Sequence, residues 1–153
     1  MQAWKTGAAA ALLSAAWGGA AVAACGSEAG ACEVADGAYH IALPADANTP
    51  PPVVMFLHGY GGSGAQVMRN RALSEGLTAR GYAVIAPEGR KRGGSGPQSW
   101  GFGPFTEGRD EGAFFASVLT DASERFGTSS AQTVLAGFSA GAFMVHYLAC
   151  SNP

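Results

Sequence analysis

The segment from Thr133 to Leu148 constrains the fold of this chain more than any other. An apolar run, Thr133–Ala136, leads into Gly137-Phe138-Ser139-Ala140-Gly141, and a helix-like stretch follows. A strand, a sharp turn carrying serine, and a helix form the context of a nucleophile elbow. Glycine flanks the serine because larger side chains would collide with the adjoining strand and helix. The segment therefore predicts Ser139 as a nucleophile, with the next amide, that of Ala140, facing the attacked group.

A second apolar strand pattern runs into a glycine-rich loop. Val53–Leu57 is apolar on both faces, as expected of a buried strand in a parallel sheet, and it leads directly into His58–Gly64. Such a loop exposes backbone N–H groups, and acyl transfer needs two of these donors for the developing oxyanion. We expect one donor to be the amide of Tyr60 and the other that of Ala140.

The same loop also matches a dinucleotide-binding fingerprint. Gly59–Gly64 fits G-x-G-x-x-G, and Glu88 closes the next strand at about the distance of a ribose-binding acid. The histidine before the first glycine, the hairpin before this strand and the export signal at the N terminus all oppose a Rossmann domain. That domain remains the lesser alternative.

The remaining sequence alternates strand and helix patterns. The predicted elements are a hairpin around Asp36-Gly37, a helix from a Ser63–Gln66 capping box to Gly81, a strand over Tyr82–Ala86, a long basic loop over Glu88–Gly108, and a helix from Asp110 to Phe126 ended by Gly127. This alternation is typical of an α/β fold, a parallel sheet with helices on both faces.

Together these motifs resemble the α/β-hydrolase superfamily. The matching pieces are Phe56–Gly61, Gly81–Pro87, Ser99-Trp100, Arg109-Asp110-Glu111 and Gly137–Gly141. More narrowly, Cys25–Pro153 is similar to the secreted polyhydroxybutyrate depolymerase-like esterases, a group that includes feruloyl and acetylxylan esterases. The resemblance implies a three-layer α/β-hydrolase fold and acyl-enzyme hydrolysis of a carboxylic ester, polymeric or small. No cofactor and no metal site are expected.

The resemblance also implies that catalytic partners of Ser139 lie elsewhere. In hydrolases of this fold the acid and the histidine follow the serine. His146 stands only two helical turns beyond Ser139, so it is not placed to act as the base. Asp110 is expected to cap its helix or to brace its loop. Residues 25–153 are thus expected to be an incomplete, nearly inactive amino-terminal half of the domain. The alternative is an exported or lipid-anchored binding protein without catalysis.

Residues 1–24 have the layout of a signal peptide, with Lys5 near the start and an Ala-rich core too short for a stable membrane span. Export to the periplasm or outside the cell follows. Cys25 has two possible fates: lipidation after a small-residue run, or a disulfide with Cys32. The resembling esterases often carry such a pair, which favours the disulfide. Cys150 is expected to be a buried, small apolar residue.

Several other side chains invite both functional and structural interpretations. His58 is expected to brace its loop rather than act as a base, and His40 to be solvated. Trp100 and Phe102 are predicted either to wall a substrate pocket or to pack their own loop. The formal net charge of −2 gives no reason to expect a nucleic acid or an anionic membrane surface as a partner.

Overall fold

The computed structural model describes residues 25–26, 30–46, 48–102 and 108–151. The proposed signal peptide, residues 1–24, lies outside them. The main sheet consists of β1 (Cys32–Val34), β2 (Gly37–Ala42), β3 (Pro52–Leu57), β4 (Ala83–Pro87) and β7 (Ser129–Gly137), and a separate hairpin consists of β5 (Arg90–Lys91) and β6 (Gln98–Ser99). The helices are α1 (Gly64–Arg69), α2 (Arg71–Thr78), α3 (Glu111–Phe126) and α4 (Ala140–Ser151). None of the helices in these ranges is long and apolar enough to cross a membrane.

The main sheet is mixed, with the order β1-β2-β4-β3-β7. The first two pairings are antiparallel, whereas β3 pairs in parallel with both β4 and β7. Val53, Met55 and Leu57 of β3 are fully buried, because helices cover this strand and its neighbours hold both of its edges. The predicted α/β architecture is confirmed.

The predicted hairpin is present, but its turn lies one residue earlier. Val34 pairs with Gly37, so the turn residues are Ala35 and Asp36, and Asp36 has a φ of 65°. Aspartate tolerates this left-handed conformation better than most residues. Gly37 is needed for packing, since an added Cβ would stand 2.8 Å from the ring of Phe114.

The prediction of a single helix after the glycine-rich loop is wrong, because the structure has two helices here, α1 and α2, which meet at Asn70. The Asn70 side chain accepts a hydrogen bond from the Leu73 amide at 3.4 Å, which starts the second helix. Ser63 caps the first helix as expected, accepting from the Gln66 amide at 3.2 Å. The short side chain of asparagine competes with the helical backbone for hydrogen bonds, and this breaks the helix.

In its described part, residues 88–102, the segment predicted as a long loop after β4 contains a short hairpin. Its strands β5 and β6 pair antiparallel, and the Arg92 amide donates to the Pro97 carbonyl at 3.3 Å to close the hairpin. Helix α3 agrees with its prediction at both ends. Asp110 caps it by accepting from the Ala113 amide at 3.0 Å, and Gly127, with a φ of 67°, ends it.

The cysteines gave one correct and one wrong expectation. Cys25 and Cys32 form a disulfide, so the Cys25 sulfur is engaged within the protein. Cys150 is exposed rather than buried, because it lies on the outer face of α4, where its sulfur stands 3.6 Å from Nδ1 of His146. The apolar character of the α4 sequence did not distinguish its inner face from its outer face.

Candidate functional site

Ser139 lies at the turn between β7 and α4, in a conformation that few residues adopt. Its φ is 51°, in the left-handed region that disfavours residues with a Cβ. The turn is held by the Gly141 amide donating to the Phe138 carbonyl at 2.9 Å and by the Phe143 amide donating to the Ser139 carbonyl at 3.1 Å. A strained backbone of this kind persists only where the surrounding structure enforces it. Ser139 is exposed at this turn.

Two glycines allow the elbow to pack this tightly. A Cβ added to Gly137 would stand 2.5 Å from the carbonyl carbon of Gly141. A Cβ added to Gly141 would collide with the backbone carbonyl of Leu57, the last residue of β3. The first turn of α4 therefore rests against the end of β3, and neither position has room for a side chain.

The glycine-rich loop after β3 lies directly beside the elbow. The Phe138 amide donates to the Leu57 carbonyl at 3.1 Å. A Cβ added to Gly59 would stand 3.5 Å from the Cβ of Ser139. Within the described residues, neither the Tyr60 amide nor the Ala140 amide donates a hydrogen bond to another protein group. The two expected donors thus stand on adjoining loops with no competing acceptor among those residues.

His58 is locked into the base of the loop. Its Nδ1 lies 2.8 Å from the Gly59 carbonyl, and its Nε2 accepts from the Gly89 amide at 3.0 Å. The ring also stacks on Trp100 at a centroid distance of 4.7 Å. Burial lowers the pKa of His58, and the hydrogen bond to Gly59 opposes this only in part. A neutral histidine with both nitrogens occupied has the bracing role predicted for it.

Glu88 is the centre of a second set of contacts that hold the loop. Its Oε1 stands 3.1 Å from Nε2 of His40 and accepts from the Ala65 amide at 3.2 Å. The Gln98 side-chain amide is oriented so that both its nitrogen and its oxygen face suitable partners. Its nitrogen then donates to Glu88 Oε2 at 2.8 Å and to the Gly62 carbonyl at 2.9 Å. The Glu88 carboxylate therefore fixes the start of α1 and one side of the loop.

These contacts bear on two predictions from the sequence, a ribose-binding role for Glu88 and a solvated His40. Burial alone would raise the pKa of Glu88, but hydrogen bonds from His40 and from the Gly64 and Ala65 amides outweigh it and lower the pKa. A carboxylate held in this way is occupied and does not have the free position of a ribose-binding acid. The expectation of a solvated His40 is wrong: the residue is 6% exposed, because its strand lies against the start of α1.

A buried ion pair contacts the segments that contain Glu88 and Gly101. Arg109 and Glu111 approach to 2.7 Å, and their side chains are almost completely buried. Glu111 also accepts from the Gly101 amide at 3.0 Å, and Arg109 donates to the Glu88 carbonyl oxygen at 3.2 Å. In the sequence, Arg109 and Glu111 stood out only as part of the motif Arg109-Asp110-Glu111, and no ion pair was predicted for them. The signal that marks a structural role, charges of opposite sign two residues apart before a helix, is too common to identify a buried pair.

The two aromatic candidates differ in their surroundings. Trp100 is 4% exposed, donates from Nε1 to the His58 carbonyl at 2.8 Å and packs edge-on against Phe115. Phe102 is 36% exposed and contacts Tyr147 of α4 edge-on at 6.3 Å. Trp100 thus mainly packs the loop, whereas Phe102 stands at the surface beside α4. Neither of these two residues lines a cavity of about 450 Å³ that is bordered by Tyr60 and Phe138.

None of the described residues supplies a base or an acid to Ser139. Within the described part of the chain, its hydroxyl makes no hydrogen bond to a histidine or a carboxylate. His40 is paired with Glu88, and His58 is held at both nitrogens. His146 is exposed farther along α4, near Cys150. Among the described residues, the Ser139 hydroxyl thus stands near two backbone amides without a histidine or a carboxylate bonded to it.

Solved structures reveal what this geometry is similar to, although no protein-family model and no curated protein matches the chain. An S-formylglutathione hydrolase from Agrobacterium tumefaciens matches with a TM-score of 0.61 and 20% identity, over 76% of this chain and 48% of that one. An acetyl xylan esterase from Aspergillus awamori matches with a TM-score of 0.57 and 21% identity, over 77% and 43%. A monoglyceride lipase from Saccharomyces cerevisiae matches with a TM-score of 0.55 and 20% identity, over 86% and 42%.

The described residues have the fold of part of an α/β-hydrolase. At this level of identity the likeness concerns the fold alone, so it carries no substrate from one protein to another. The chain spans less than half the length of each of these three structures.

Proposed function

We propose that the complete protein is a serine hydrolase of carboxylic esters. The observation that carries the proposal is the left-handed Ser139 at the strand-to-helix turn, with Gly137 and Gly141 giving it clearance against β3. An α/β-hydrolase uses such a turn to expose the serine oxygen at the edge of the sheet. In this role Ser139 attacks the ester carbonyl, its oxygen forms the bond to the acyl carbon, and the alcohol leaves.

The Tyr60 and Ala140 amides are proposed as the oxyanion hole. They come from two loops that the structure places side by side, and both lack a protein acceptor among the described residues. Amide donors fixed before the reaction stabilise the negative charge that develops on the carbonyl oxygen. The contacts of His58 and Glu88 hold the Tyr60 loop in place, so they would keep its donor aimed without touching the substrate.

The base and the acid are proposed to come from sequence outside this chain. Its three histidines have the other positions described above, and the chain spans less than half the length of each matching structure. Without a base the serine keeps its proton and is a weak nucleophile. We therefore expect residues 25–153 alone to be nearly inactive, while the complete protein forms the acyl-enzyme.

Substrate class is proposed from the sequence resemblance to polyhydroxybutyrate depolymerase-like and feruloyl esterases. The partner is then an ester, either a polymer or a small molecule, with Phe102 at the rim of its site and Trp100 behind the loop. The cavity beside Tyr60 and Phe138 is largely apolar in its lining side chains, which include Val67 and Leu73. Such a lining suits an acyl or aromatic group rather than a charged one.

Ser139→Ala in the complete protein tests the nucleophile. Hydrolysis of p-nitrophenyl butyrate should fall by a factor on the order of a million, as is usual when a triad member is lost. Ser95→Ala, at an exposed position on the β5–β6 hairpin, is the matched control and should keep its activity. If Ser139→Ala retained most of its turnover, another group would be the nucleophile.

Export to an oxidising compartment is also proposed, from the Cys25–Cys32 disulfide and the leader-like residues 1–24. Material recovered from the periplasm or the medium should begin near Cys25 and gain about two daltons on reduction, as one disulfide requires. A diacylglyceryl mass on Cys25 would instead establish a lipid anchor.

A further inference from the structure

Three consecutive cations stand on the β5–β6 hairpin without a use in the chemistry proposed above. Arg90 and Lys91 form β5, Arg92 follows them, and all three are exposed. They border a cavity of about 980 Å³ that Trp100 and Phe102 also line. The cluster is local, because the chain as a whole carries a net charge of −2.

These charges are not neutralised by the described part of the protein. None of the ion pairs among those residues involves Arg90, Lys91 or Arg92. Glu111 lines the same cavity, but its carboxylate is already bound by Arg109. Burial lowers the pKa of Arg109, the charge and hydrogen bonds of Glu111 oppose this in part, and the like charge of Arg90 adds to the lowering. Among the described residues, the side of the cavity formed by the hairpin therefore carries an excess of positive charge, which an anion would neutralise.

The hairpin is attached to the loop that carries Tyr60. The Gly61 amide donates to the Gln98 carbonyl at 2.9 Å, and Lys91 pairs with Gln98 across the hairpin. A Cβ added to Gly89, just before β5, would stand 2.9 Å from Nε2 of His58. The cations are thus held in a fixed relation to the proposed oxyanion hole rather than on a separate part of the surface.

We propose that Arg90, Lys91 and Arg92 bind a negatively charged oxyanion group, a carboxylate or a phosphate, carried by the ester substrate. Guanidinium groups suit this because their paired N–H donors match two oxygens of such a group. The inference rests on the proposed esterase function, because only an esterase would have an ester substrate to bind here. Binding of an anion at these residues does not itself depend on catalysis. The protein would then prefer esters with a charged group on one side of the scissile bond to neutral esters of similar size.

Anion binding can be measured on the chain itself through Trp100. In the chain from Cys25 to Pro153, which lacks the leader, Trp100 is the one tryptophan. Its fluorescence is followed at constant ionic strength with succinate, inorganic phosphate or neutral succinamide. Succinate or phosphate should give a saturable change, and the tighter of the two identifies the group. Succinamide should give none. A response equal for all three, or absent for both anions, would overturn the proposal.

Charge removal connects this response to the hairpin. Arg90→Gln/Lys91→Gln/Arg92→Gln should weaken anion binding by on the order of tenfold or more, since each exposed charge contributes modestly. Arg69→Gln/Arg80→Gln removes exposed cations elsewhere and should leave binding unchanged. If the triple variant does not fold, Lys91→Gln alone should still weaken binding by a smaller factor. Equal loss in the control variant would show a general effect of protein charge and overturn the site.

Catalysis then tests the link to substrate. In the complete protein, the ratio of kcat/KM for p-nitrophenyl hemisuccinate to that for p-nitrophenyl butyrate should fall on the order of tenfold in the triple variant. An unchanged ratio would overturn the substrate role. A complete wild-type protein that hydrolysed neither ester would refute the proposed function, while the fluorescence measurement would still decide whether the anion site exists.

Discussion

The two strands that lead into the proposed site have very different surroundings. Strand β3 is paired on both edges and buried, and the loop after it is braced by His58, Glu88 and Gln98. Among the described residues, strand β7 is paired on one edge only. Val134, Phe138 and Phe143, on or near this strand, are 56%, 70% and 69% exposed. One half of the site is thus held by many polar contacts, while the other is held mainly by backbone packing at two glycines.

This difference shows how a single site can depend on two kinds of order. The Tyr60 loop is positioned by groups whose loss leaves buried donors or acceptors without partners. The Ser139 turn is positioned by close backbone packing at Gly137 and Gly141, where a side chain would not fit. Each half therefore has its own sensitive substitution, and the predictions below go from the largest expected effect on stability to the smallest.

Gly141→Ala should have the largest effect. Its new Cβ would collide with the Leu57 carbonyl, and because both atoms belong to packed backbone the free energy of unfolding should fall by about 3 kcal/mol. Gly76→Ala is the control: it lies within α2, where the nearest atom is 3.7 Å away, and it should be neutral or slightly stabilising. Urea unfolding measures both. Equal behaviour of the two variants would mean that the elbow does not rest on β3.

Glu88→Gln should have the next largest effect. The neutral amide cannot accept the same set of hydrogen bonds from His40 and the start of α1, so we expect a loss of about 1–2 kcal/mol. Glu75→Gln is the control, since its ion pair with Arg71 is exposed and should contribute less than about 0.5 kcal/mol.

The pH dependence of the Glu88 effect has a definite sign. The folded pKa of Glu88 is lowered, so its contribution is fully present above the unfolded pKa of about 4.3 and is lost as the pH falls through the folded pKa. The stability gap between wild type and Glu88→Gln should therefore close in acid. A gap that stayed constant down to about pH 2.5 would contradict the carboxylate's role.

His58 should produce a smaller change at higher pH. Its folded pKa is lowered, so the unfolded chain binds more protons below about pH 6.5 and the stability of the protein should fall as the pH decreases from there. His58→Gln removes this group and should flatten the curve between about pH 7.5 and pH 5.5, whereas His146→Gln, at an exposed position, should not. Parallel curves for wild type and His58→Gln would show that the ring is not held neutral.

Val134→Lys should change stability least and association most. Val134 lies exposed on β7, an unpaired edge invites pairing with other chains, and charge on such an edge opposes it. We expect residues 25–153 to bind a hydrophobic dye and to elute as a broad oligomer, and we expect Val134→Lys to shift elution toward the monomer. Gln132→Lys, an exposed polar position on the same strand, should shift it less. A sharp monomer peak for the wild-type chain would contradict the prediction.

Local sequence patterns predicted most of the fold because they report short-range physics. The apolar run Val53–Leu57, the Ser63 and Asp110 caps and the Gly127 terminator each specify an element within a few residues. The break at Asn70 was missed because the helix pattern of apolar residues continues across it. The short β5–β6 hairpin was missed because its strands have only two residues each.

The sequence by itself determined the positions of the elbow and of the glycine-rich loop, since glycine and serine at these spacings express a local backbone requirement. Only the tertiary structure decided what holds them. It paired His40 with Glu88 across 48 residues of sequence, buried the Arg109–Glu111 pair and left Cys150 on an outer face. These outcomes depend on which segments meet in space, and desolvation at those contacts, rather than residue type, sets whether a side chain is solvated, paired or exposed.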